Sequence, residues 1–548
     1  MANMTGKHRA DREFTEESLS AAEHQALRYR LVRSGFRGGD LQLVLRPAKG
    51  GGAAAVRGIL LSYDHRAEAD ALAYCFDARV GADGTVEADI PLAGLALKKT
   101  HWTLWVLAED GGEAYRIPIL TNPRTRARLV RDMLRPGTSR LGGDIRFLRV
   151  KPGGRLGMIC RDIEDYDRLS FRLKELCAAA LYLLGRGKAK RDRLLLIHEK
   201  KCFRASDNAW YLFRHCMESG AERALGRKIC YVIDKRAPDY AKMKTWDANV
   251  IDAWSVRHLV ALLGCRAIAS TESRMHDYAW FPSVSLIAPI VRKKRHIFLQ
   301  HGVLAIKRLP DMFLAGNMRS SLVTCISQGE ADIVRDALGF PEDSIAQTGY
   351  ARFDALEDLS GDSREILLMP SIRTNIFWAG EAEFKKDPYY EVYTGILDDS
   401  ALHEVLERHD LRLNFFLHPS ITRFEGLFHT VSDRVRIVRD GEVSLDELMM
   451  RCRLLVTDYS SIAWDVCYLG KPILFFQYDI EDFLATSGSY IDLREDLPGE
   501  RTEDAHELVA MIGRYAEGGF ALPEDRSRSP PSILPAAHAR ALPTLPLP

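Results

Sequence analysis

The chain has 548 residues, more than one hydrophobic core usually supports, so two to four domains are expected. Its 46% hydrophobic and 28% charged residues are those of a folded globular protein, and 76 Lys plus Arg against 75 Asp plus Glu exclude attachment to nucleic acid by overall charge. The ten Cys form no CxxC pair or zinc-ribbon spacing, MANMTGKHRADREF carries no apolar leader, and no apolar run approaches the roughly 20 residues of a bilayer span, so the expectation is a reducing cytoplasm with no disulfide framework.

Residues 1 to 40 are charged and mildly helical in pattern. From Leu41 to Leu120 the runs LQLVLR, RGILLS, LAYCFDA, HWTLWVLAE and YRIPIL, separated by Gly- and Asp-containing turns, predict a small antiparallel β domain. Arg124 to Arg155 reads as a basic linker, with ten Lys or Arg against Asp132 and Asp144, a local charge of +8. It is either a surface for an anionic partner, such as acidic lipid headgroups or a polyphosphate chain, or a solvated connection. The segment LSFRLKELCAAALYLLG that follows is amphipathic and extends the first reading to a membrane surface. Cys177, Cys325 and Cys467 sit in apolar runs and read as buried thiols.

After Arg193, strands alternate with helices: RLLLIHE, a helix over NAWYLFRHCMESG, KICYVID, a helix over VRHLVALLG, CRAIAST and RHIFLQHG. The rhythm resumes after Gly349 with EILLMPS, a helix through ALHEVLERH, RLNFFLHPS, VRIVRD, CRLLVTDYSS, another helix and KPILFFQ. Such alternation indicates βαβ crossovers and two doubly wound parallel sheets, whose ligands bind at the carboxyl ends of the strands. GFPEDSIAQTGYARFDALEDLSGDS is the natural boundary between them. The domains expected are a charged and β-rich 1–150, Rossmann-like domains at 151–345 and 346–516, and a Pro-rich tail at 517–548 that reads as disordered.

Several loops at predicted strand ends carry polar residues. In CRLLVTDYSSIAWDVCYLGKPILFF a buried strand runs into Thr457, Asp458, Ser460 and Ser461 and then a helix, whose free amides and dipole suit a phosphate; Asp458 or Ser460 equally suits a plain helix cap. In RHIFLQHGVLAIKRL the strand ends at His301-Gly302, with Lys307 following. Gly302 permits close backbone approach, and His301 is either a general base or a structural histidine. His418 and Arg373 follow two further strands, where an imidazolium or guanidinium would neutralise a diphosphate, the alternative for Arg373 being an ion pair. Ser206, Asp207 and Asn208, and likewise Glu272, Ser273 and Arg274, lie in loops that would face the same cleft. There is no GxxxxGK[ST] loop, GxGxxG turn or HExxH pair, and no metal or other cofactor is expected.

Taken in order, SDNAWYLF, ESRMHDY, FLQHGVLAIKRL, TGYARFDAL, LLMPSIRTN, FFLHPS and LLVTDYSSIAWDVCYLGKPILFF resemble the CDP-glycerol glycerophosphotransferase family of teichoic-acid primases and polymerases. The resemblance implies an α/β GT-B fold, with two Rossmann-like domains facing a cleft, here preceded by a small β-rich domain. It implies transfer of glycerol phosphate, or a related alditol phosphate, from CDP-glycerol to a lipid-linked or polymeric acceptor, with release of CMP. In it, His301 matches the candidate base and His418 a second essential histidine near the donor phosphates. Thr457, Ser460 and Ser461 would contact the diphosphate, Arg373 would assist, and Asp458 would lie near the alditol. The expected location is peripheral, on the inner face of the plasma membrane. Rival readings are a GT-B glycosyltransferase using a nucleotide sugar and a non-catalytic polymer-binding scaffold.

Overall fold

In a computed structural model, residues 27–48, 55–63, 73–95, 97–110, 113–133, 139–280, 285–439 and 441–522 are described, together with Glu23 and Ile533. The expected disorder of the Pro-rich tail and most of the charged N-terminal segment lie outside them. The chain divides into two compact units: Met1–Arg172 with Phe281–Ser285, and Leu173–Trp280 with Leu286–Pro548.

The first unit is a largely antiparallel sheet. Its described strands include Tyr29–Arg37, Asp40–Pro47, Ala55–Ser62, Val86–Ile90, His101–Asp110, Glu113–Leu120, Asp144–Val150 and Leu156–Asp162. Alternating residues such as Leu43, Leu45, Ile59, Leu61, Trp102, Leu104 and Val106 form its core. Tyr29–Arg37 falls where the pattern reads as mildly helical; Gly38 and Gly39, at φ 62° and 100°, turn it into a hairpin with Asp40–Pro47.

The stretch Arg124–Arg155 is built into this unit rather than serving as a linker. It contains a helix, Pro123–Met133, and the strand Asp144–Val150, which pairs along its length with Leu156–Asp162. Much of its charge is engaged: Arg128 donates to the Val32 carbonyl, buried Arg146 to the Leu92 carbonyl, and Arg155 pairs with Glu23. Guanidinium groups satisfy carbonyls left open at the register shift around Val32 and past the strand end at Leu92, a use that composition does not distinguish from a free basic surface.

The second unit holds two parallel sheets. The first has the order Val250–Asp252, Ile229–Ile233, Leu195–His198, Ala267–Ser270, Arg295–Phe298, Leu322–Cys325, Ile345–Gln347. The second has the order Val435–Val438, Arg412–Phe416, Glu365–Leu368, Leu454–Thr457, Ile473–Phe476, Glu500–Thr502. Each winds outward from its first strand, reverses and continues, the doubly wound order that opens a crevice at the carboxyl ends of its first and fourth strands. The fully apolar strands ICYVI and ILFF are buried on both faces, as helices on both sides require. The fold is α/β, with the GT-B arrangement in the second unit and a β-rich first unit. Among the described residues no helix is long and apolar enough to cross a membrane.

The two halves of the second unit are joined through buried and half-buried polar contacts. Arg352, in the segment between the sheets, donates from Nε and a terminal nitrogen to both oxygens of Asp465 at 2.7 and 3.0 Å, and lies 3.4 Å from Asp207. All three side chains are buried. Tyr211 reaches across to Asp446 at 2.9 Å, and the Tyr490 hydroxyl accepts from the Leu309 amide at 3.0 Å. Val303, Ala305 and Ile306 from one half share a core with Leu455, Tyr459 and Trp464 from the other.

Removing the cation from a buried pair strands its carboxylates, which costs about 3–5 kcal/mol. Arg352→Ala is therefore expected to lower the unfolding free energy of the second unit by about that amount in chemical denaturation. A loss below about 1 kcal/mol, the level of a surface pair, would contradict the assignment.

Candidate functional site

Each sheet puts its crevice at the same place in the domain plan. In the first half, the ends of Leu195–His198, Ala267–Ser270 and Arg295–Phe298 supply Lys200, Glu272 and His301. In the second, Glu365–Leu368, Arg412–Phe416 and Leu454–Thr457 supply Ser371 with Arg373, His418, and the Thr457–Ser461 turn.

His301 follows Gln300, whose backbone is left-handed at φ 58°. Asn208 fixes that bend: its amide nitrogen donates to the carbonyls of Leu299 and Gln300, both at 3.0 Å, and its oxygen accepts from the Arg352 amide at 3.1 Å. The position before the histidine and the segment between the two sheets are thereby held by one side chain. His301 Nδ1 lies 3.2 Å from the Thr271 carbonyl. A carbonyl only accepts, so Nδ1 carries the proton and Nε2 keeps its lone pair. The ring remains reachable by solvent, yet the surrounding protein lowers its pKa below the usual 6.5, through desolvation first, with Asp207 and the Thr271 bond opposing and Arg352 and Lys200 reinforcing.

Gly302 meets the other half directly. A Cβ there would stand 2.5 Å from Ser461 Oγ and 3.1 Å from Ser461 Cβ, so the glycine is what lets the two strand ends touch. Ser461 precedes the helix Ile462–Tyr468, and its side chain makes no capping bond. The Ser460 hydroxyl is 3.5 Å from the Ile462 amide, at the limit of a hydrogen bond. Of the turn's two serines, Ser460 therefore makes a weak capping contact and Ser461 makes none.

Behind the two serines the turn is braced. Thr457 donates its hydroxyl to the Met369 carbonyl at 2.6 Å, across the crevice of the second sheet. Asp458 is fully buried and accepts from the Ser371 amide at 2.7 Å, the Tyr459 amide at 2.5 Å and Arg373 at 2.8 Å. Arg373 also donates to both oxygens of Asp479, at 2.7 and 3.0 Å, and its guanidinium lies over the Tyr459 ring at 4.8 Å. These three residues are occupied with protein partners: the Asp458 carboxylate is fully buried, and most of the Arg373 fork is taken.

His418 accepts from the Ser420 amide at Nδ1, 3.2 Å, which leaves Nε2 as the N–H donor. Its pKa is pushed down to about 4 by desolvation and then by Lys307, His301 and Lys200. The side chain is therefore a neutral donor at pH 7 rather than the imidazolium that strand-end placement suggests. Lys307 is partly buried, its pKa lowered by desolvation and Arg373 while Asp458 opposes.

On the opposite wall, the Ser206 hydroxyl accepts from Lys200 at 3.2 Å, and Asp207 caps the helix Asn208–Glu218 through the Asn208 amide. Glu272 accepts from the Lys201 amide at 2.7 Å. Ser273 is buried against His276 at 3.2 Å, and Arg274 donates to the Arg292 carbonyl at 2.7 Å. Of the candidate residues on this wall, Ser206, Asp207 and Glu272 interlock with the loop after the first strand, while Ser273 and Arg274 are engaged elsewhere.

Lys200 is a residue that pattern reading passes over. With Lys201 and Cys202 it forms three consecutive left-handed positions, φ 45°, 54° and 62°, a conformation that non-glycine residues hold only when their surroundings impose it. Desolvation by the neighbouring loops would lower its pKa, but the carboxylates of Asp207, Glu199 and Asp446 outweigh this and raise it. A lysine in a polar loop has no sequence signal; the backbone strain is visible only in the fold.

Facing Rossmann-order sheets, with Gly302 at the end of one strand meeting Ser461 in the turn after another, define a GT-B protein with a crevice between its halves. The chain belongs to the CDP-Glycerol:Poly(glycerophosphate) glycerophosphotransferase family, whose model matches residues 182–527. It is 25% identical to the minor teichoic acid biosynthesis protein GgaB of Bacillus subtilis over 334 residues, 59% of this chain and 36% of that protein. It is 27% identical to a teichoic acid glycerol-phosphate transferase of Staphylococcus aureus over 218 residues, 38% of this chain and 54% of that protein. The matches thus span between about a third and a half of these relatives' length. Among solved structures, the wall teichoic acid polymerase TagF is similar at 16% identity and a TM-score of 0.43, covering 64% of this chain and 91% of that one.

The Gly302–Ser461 contact is directly testable. Gly302→Ala is expected to force the two strand ends apart and cost about 100-fold in any reaction that uses both walls. Ser461→Gly in the same chain removes the obstructing atoms, so its thermal stability should recover toward wild type while Gly302→Ala alone stays low. Equal melting temperatures for Gly302→Ala and wild type would contradict the packing.

Proposed function

We propose that this protein transfers glycerol phosphate from CDP-glycerol to a hydroxyl of a lipid-linked or polymeric acceptor, in teichoic-acid or capsule-like surface polymer synthesis at the inner face of the plasma membrane. The observation that supports the reading is the contact of Gly302, the neighbour of His301, with Ser461, which fits a base and a phosphate-binding turn sharing one crevice. Family membership and the names of the relatives support the donor and polymer class.

In the proposed reaction, His301 Nε2 takes the proton of the acceptor hydroxyl as its oxygen attacks the phosphorus that bears glycerol. The new P–O bond forms as the phosphoanhydride bond to CMP breaks, and CMP leaves with the electron pair. His418 donates from Nε2–H to the diphosphate, and Ser460, Ser461, Lys307 and Lys200 offset the charge that builds there. Thr457, Asp458 and Arg373 hold the turn in shape, and Ser206, Asp207 and Glu272 with Asn208 order the acceptor wall. Positioning and electrostatics are sufficient for this chemistry, so the reading calls for no obligatory metal.

His301→Ala is expected to reduce CMP release by about 100- to 10,000-fold with the fold intact by circular dichroism. Near-normal turnover would refute its role. A panel of CDP-glycerol, CDP-ribitol and nucleotide sugars identifies the donor, and release from a nucleotide sugar alone would replace this reading.

A base acts only when unprotonated. Because the His301 pKa is lowered from 6.5, kcat/KM should be level through pH 7 and fall only as the pH drops below about 6.5. An acid limb centred above pH 7 would exclude His301 as the base. CMP release should also persist in EDTA, and its abolition with restoration by a divalent cation would overturn the metal-free reading.

A further inference from the structure

The strands of the first parallel sheet that supply Lys200, Glu272 and His301 at their carboxyl ends begin, at the opposite edge, with arginine. Arg193 stands two residues before Leu195, Arg266 directly precedes Ala267, and Arg295 opens its own strand. Arg227 stands two residues before Ile229 on the neighbouring strand. Register brings the four together. Leu195 pairs with both Ile229 and Ala267, and Ala267 with Arg295; the bonding runs on past the strand ends, the Lys228 amide donating to the Asp192 carbonyl at 2.8 Å and the Arg266 amide to the Leu194 carbonyl at 2.7 Å. The arginines therefore occupy four adjacent strands, across about 14 Å of one sheet edge.

None of these four guanidinium groups has a hydrogen bond or an ion pair among the described residues. Arg193, Arg266 and Arg295 are exposed, whereas Arg227 is 7% exposed, with Nε and Nη1 left without an acceptor. Desolvation and then the repulsion of Arg193, Arg266 and Arg295 lower its pKa, so the other three are near enough to act on it. Glu222, which reaches this edge, is occupied by the Ile229 amide and the Asn249 side chain, both at 2.8 Å, and Asp192 pairs with none of the four. The helix Leu169–Asp192, whose Cys177 is exposed rather than a buried thiol, ends at Arg193, which is left-handed at φ 45°. Glycine is the usual residue at such a helix end, so the backbone does not account for an arginine there.

The second sheet has arginines in the same places, and there they are countered. Arg364 precedes Glu365–Leu368, Arg412 opens Arg412–Phe416, Arg434 precedes Val435–Val438 and Arg453 precedes Leu454–Thr457. Arg434 pairs with Asp410 at 2.5 Å, and that carboxyl is held below its usual range by Arg434 first, with Arg364 and Arg412 adding to it. Arg453 donates to the Gly519 carbonyl at 2.9 Å and lies over the Phe520 ring at 5.1 Å. The first sheet carries the same kind of charge with nothing to offset it. Like charges held together, around a buried donor that lacks an acceptor, point to a ligand that supplies the anion.

We propose that this edge of the first sheet binds the phosphodiester groups of a polymeric acceptor, away from the crevice where the chain end reacts. A planar guanidinium fork matches two phosphate oxygens at once, and four forks in a row fit a chain of phosphates rather than a single one. Arg295 and His301 lie on one strand and its exit, at most about 20 Å apart, so only a chain of several repeats can occupy both places. The inference rests on the reading that the acceptor is a phosphate polymer, and it separates such an acceptor from a short lipid-linked one.

The full chain is titrated with fluorescently labelled poly(glycerol phosphate), without donor, at low and high salt. Wild type should bind, and bind more weakly as salt rises. Arg266→Gln with Arg295→Gln should weaken binding at least about tenfold through lost charge-assisted contacts, without lowering the melting temperature, because neither side chain has a protein partner. In turnover the same double variant should raise KM for the long acceptor at unchanged kcat, and leave KM for a single glycerol phosphate unit as in wild type. Absence of wild-type binding, equal binding by the variant, or an equal rise in KM for the short acceptor would overturn the proposal. So would displacement of the polymer by single-stranded RNA of equal charge at equal concentration, which would mark a general polyanion surface. Arginine-dependent flotation with phosphatidylglycerol vesicles, without polymer binding, would overturn it in favour of lipid headgroups. Binding and chemistry fail separately: arginine-dependent binding with no CMP release from CDP-glycerol on any acceptor removes only the transferase reading, and CMP release without polymer binding removes only this site.

Discussion

The second unit depends on one buried cation. Arg352 lies in the segment joining the two sheets and holds Asp465 from one half while lying close to Asp207 from the other. Burial pushes the Asp465 carboxyl up despite the guanidinium beside it, whereas the same contacts push the pKa of Arg352 up. The two shifts pull in opposite senses for the stability of the pair. The bonds to both carboxylate oxygens decide the matter in favour of a charged pair, because a guanidinium stays protonated and a bidentate partner is held as the anion. Such a pair contributes little net stability relative to an apolar replacement, but it is intolerant of losing one member. Its effect is to fix the relation of the two crevices, since Asp207 also caps the helix that carries Asn208, and Asn208 holds the bend before His301.

A second rule recurs around the crevice: buried carboxylates collect the backbone amides of the loops that carry the site. Glu199 accepts from Ser206, Asp207 and Trp210, Glu330 accepts from Leu304 and Ile326, and Asp458 accepts from Ser371 and Tyr459. Each loop leaves a strand end with amides that no ladder bonds, and an anion with several acceptor sites satisfies them together. Burial raises the pKa of both Glu199 and Glu330, which the donated amide bonds partly offset. The loops are thereby shaped from below, leaving histidine, serine and lysine groups to face the crevice.

The alternation of strands and helices after Arg193 was legible because buried parallel strands read as short continuous apolar runs, and Leu195–His198, Val256–Gly264 and Leu454–Thr457 all lie where that pattern puts them. Tyr29–Arg37 and Asp144–Val150 were not, since arginines interrupt their alternation, and residue type alone does not disclose that Arg146 is buried with its guanidinium on the Leu92 carbonyl. The site divides along the same line. His301, His418 and the turn after Val456 follow from polar residues placed at strand ends. Which members of the turn face the crevice does not, because Thr457, Asp458 and Arg373 are of the type that binds phosphate and the type that braces a loop. Lys200 and Arg352 were missed for the converse reason: one is a lysine in a polar loop and the other an arginine in a boundary segment, and only their partners set them apart.

Gly302 and Ser461 come from opposite halves and meet with less room than one methyl group needs. Any inherited change at either position therefore alters the clearance available to the other. A serine replaced by a bulkier residue would demand compensation that a glycine, already the smallest side chain, has no means to supply. The two positions form a single unit of mutational choice. This point of contact holds the two halves to one geometry, and sequence variation is left to positions farther out on the crevice walls.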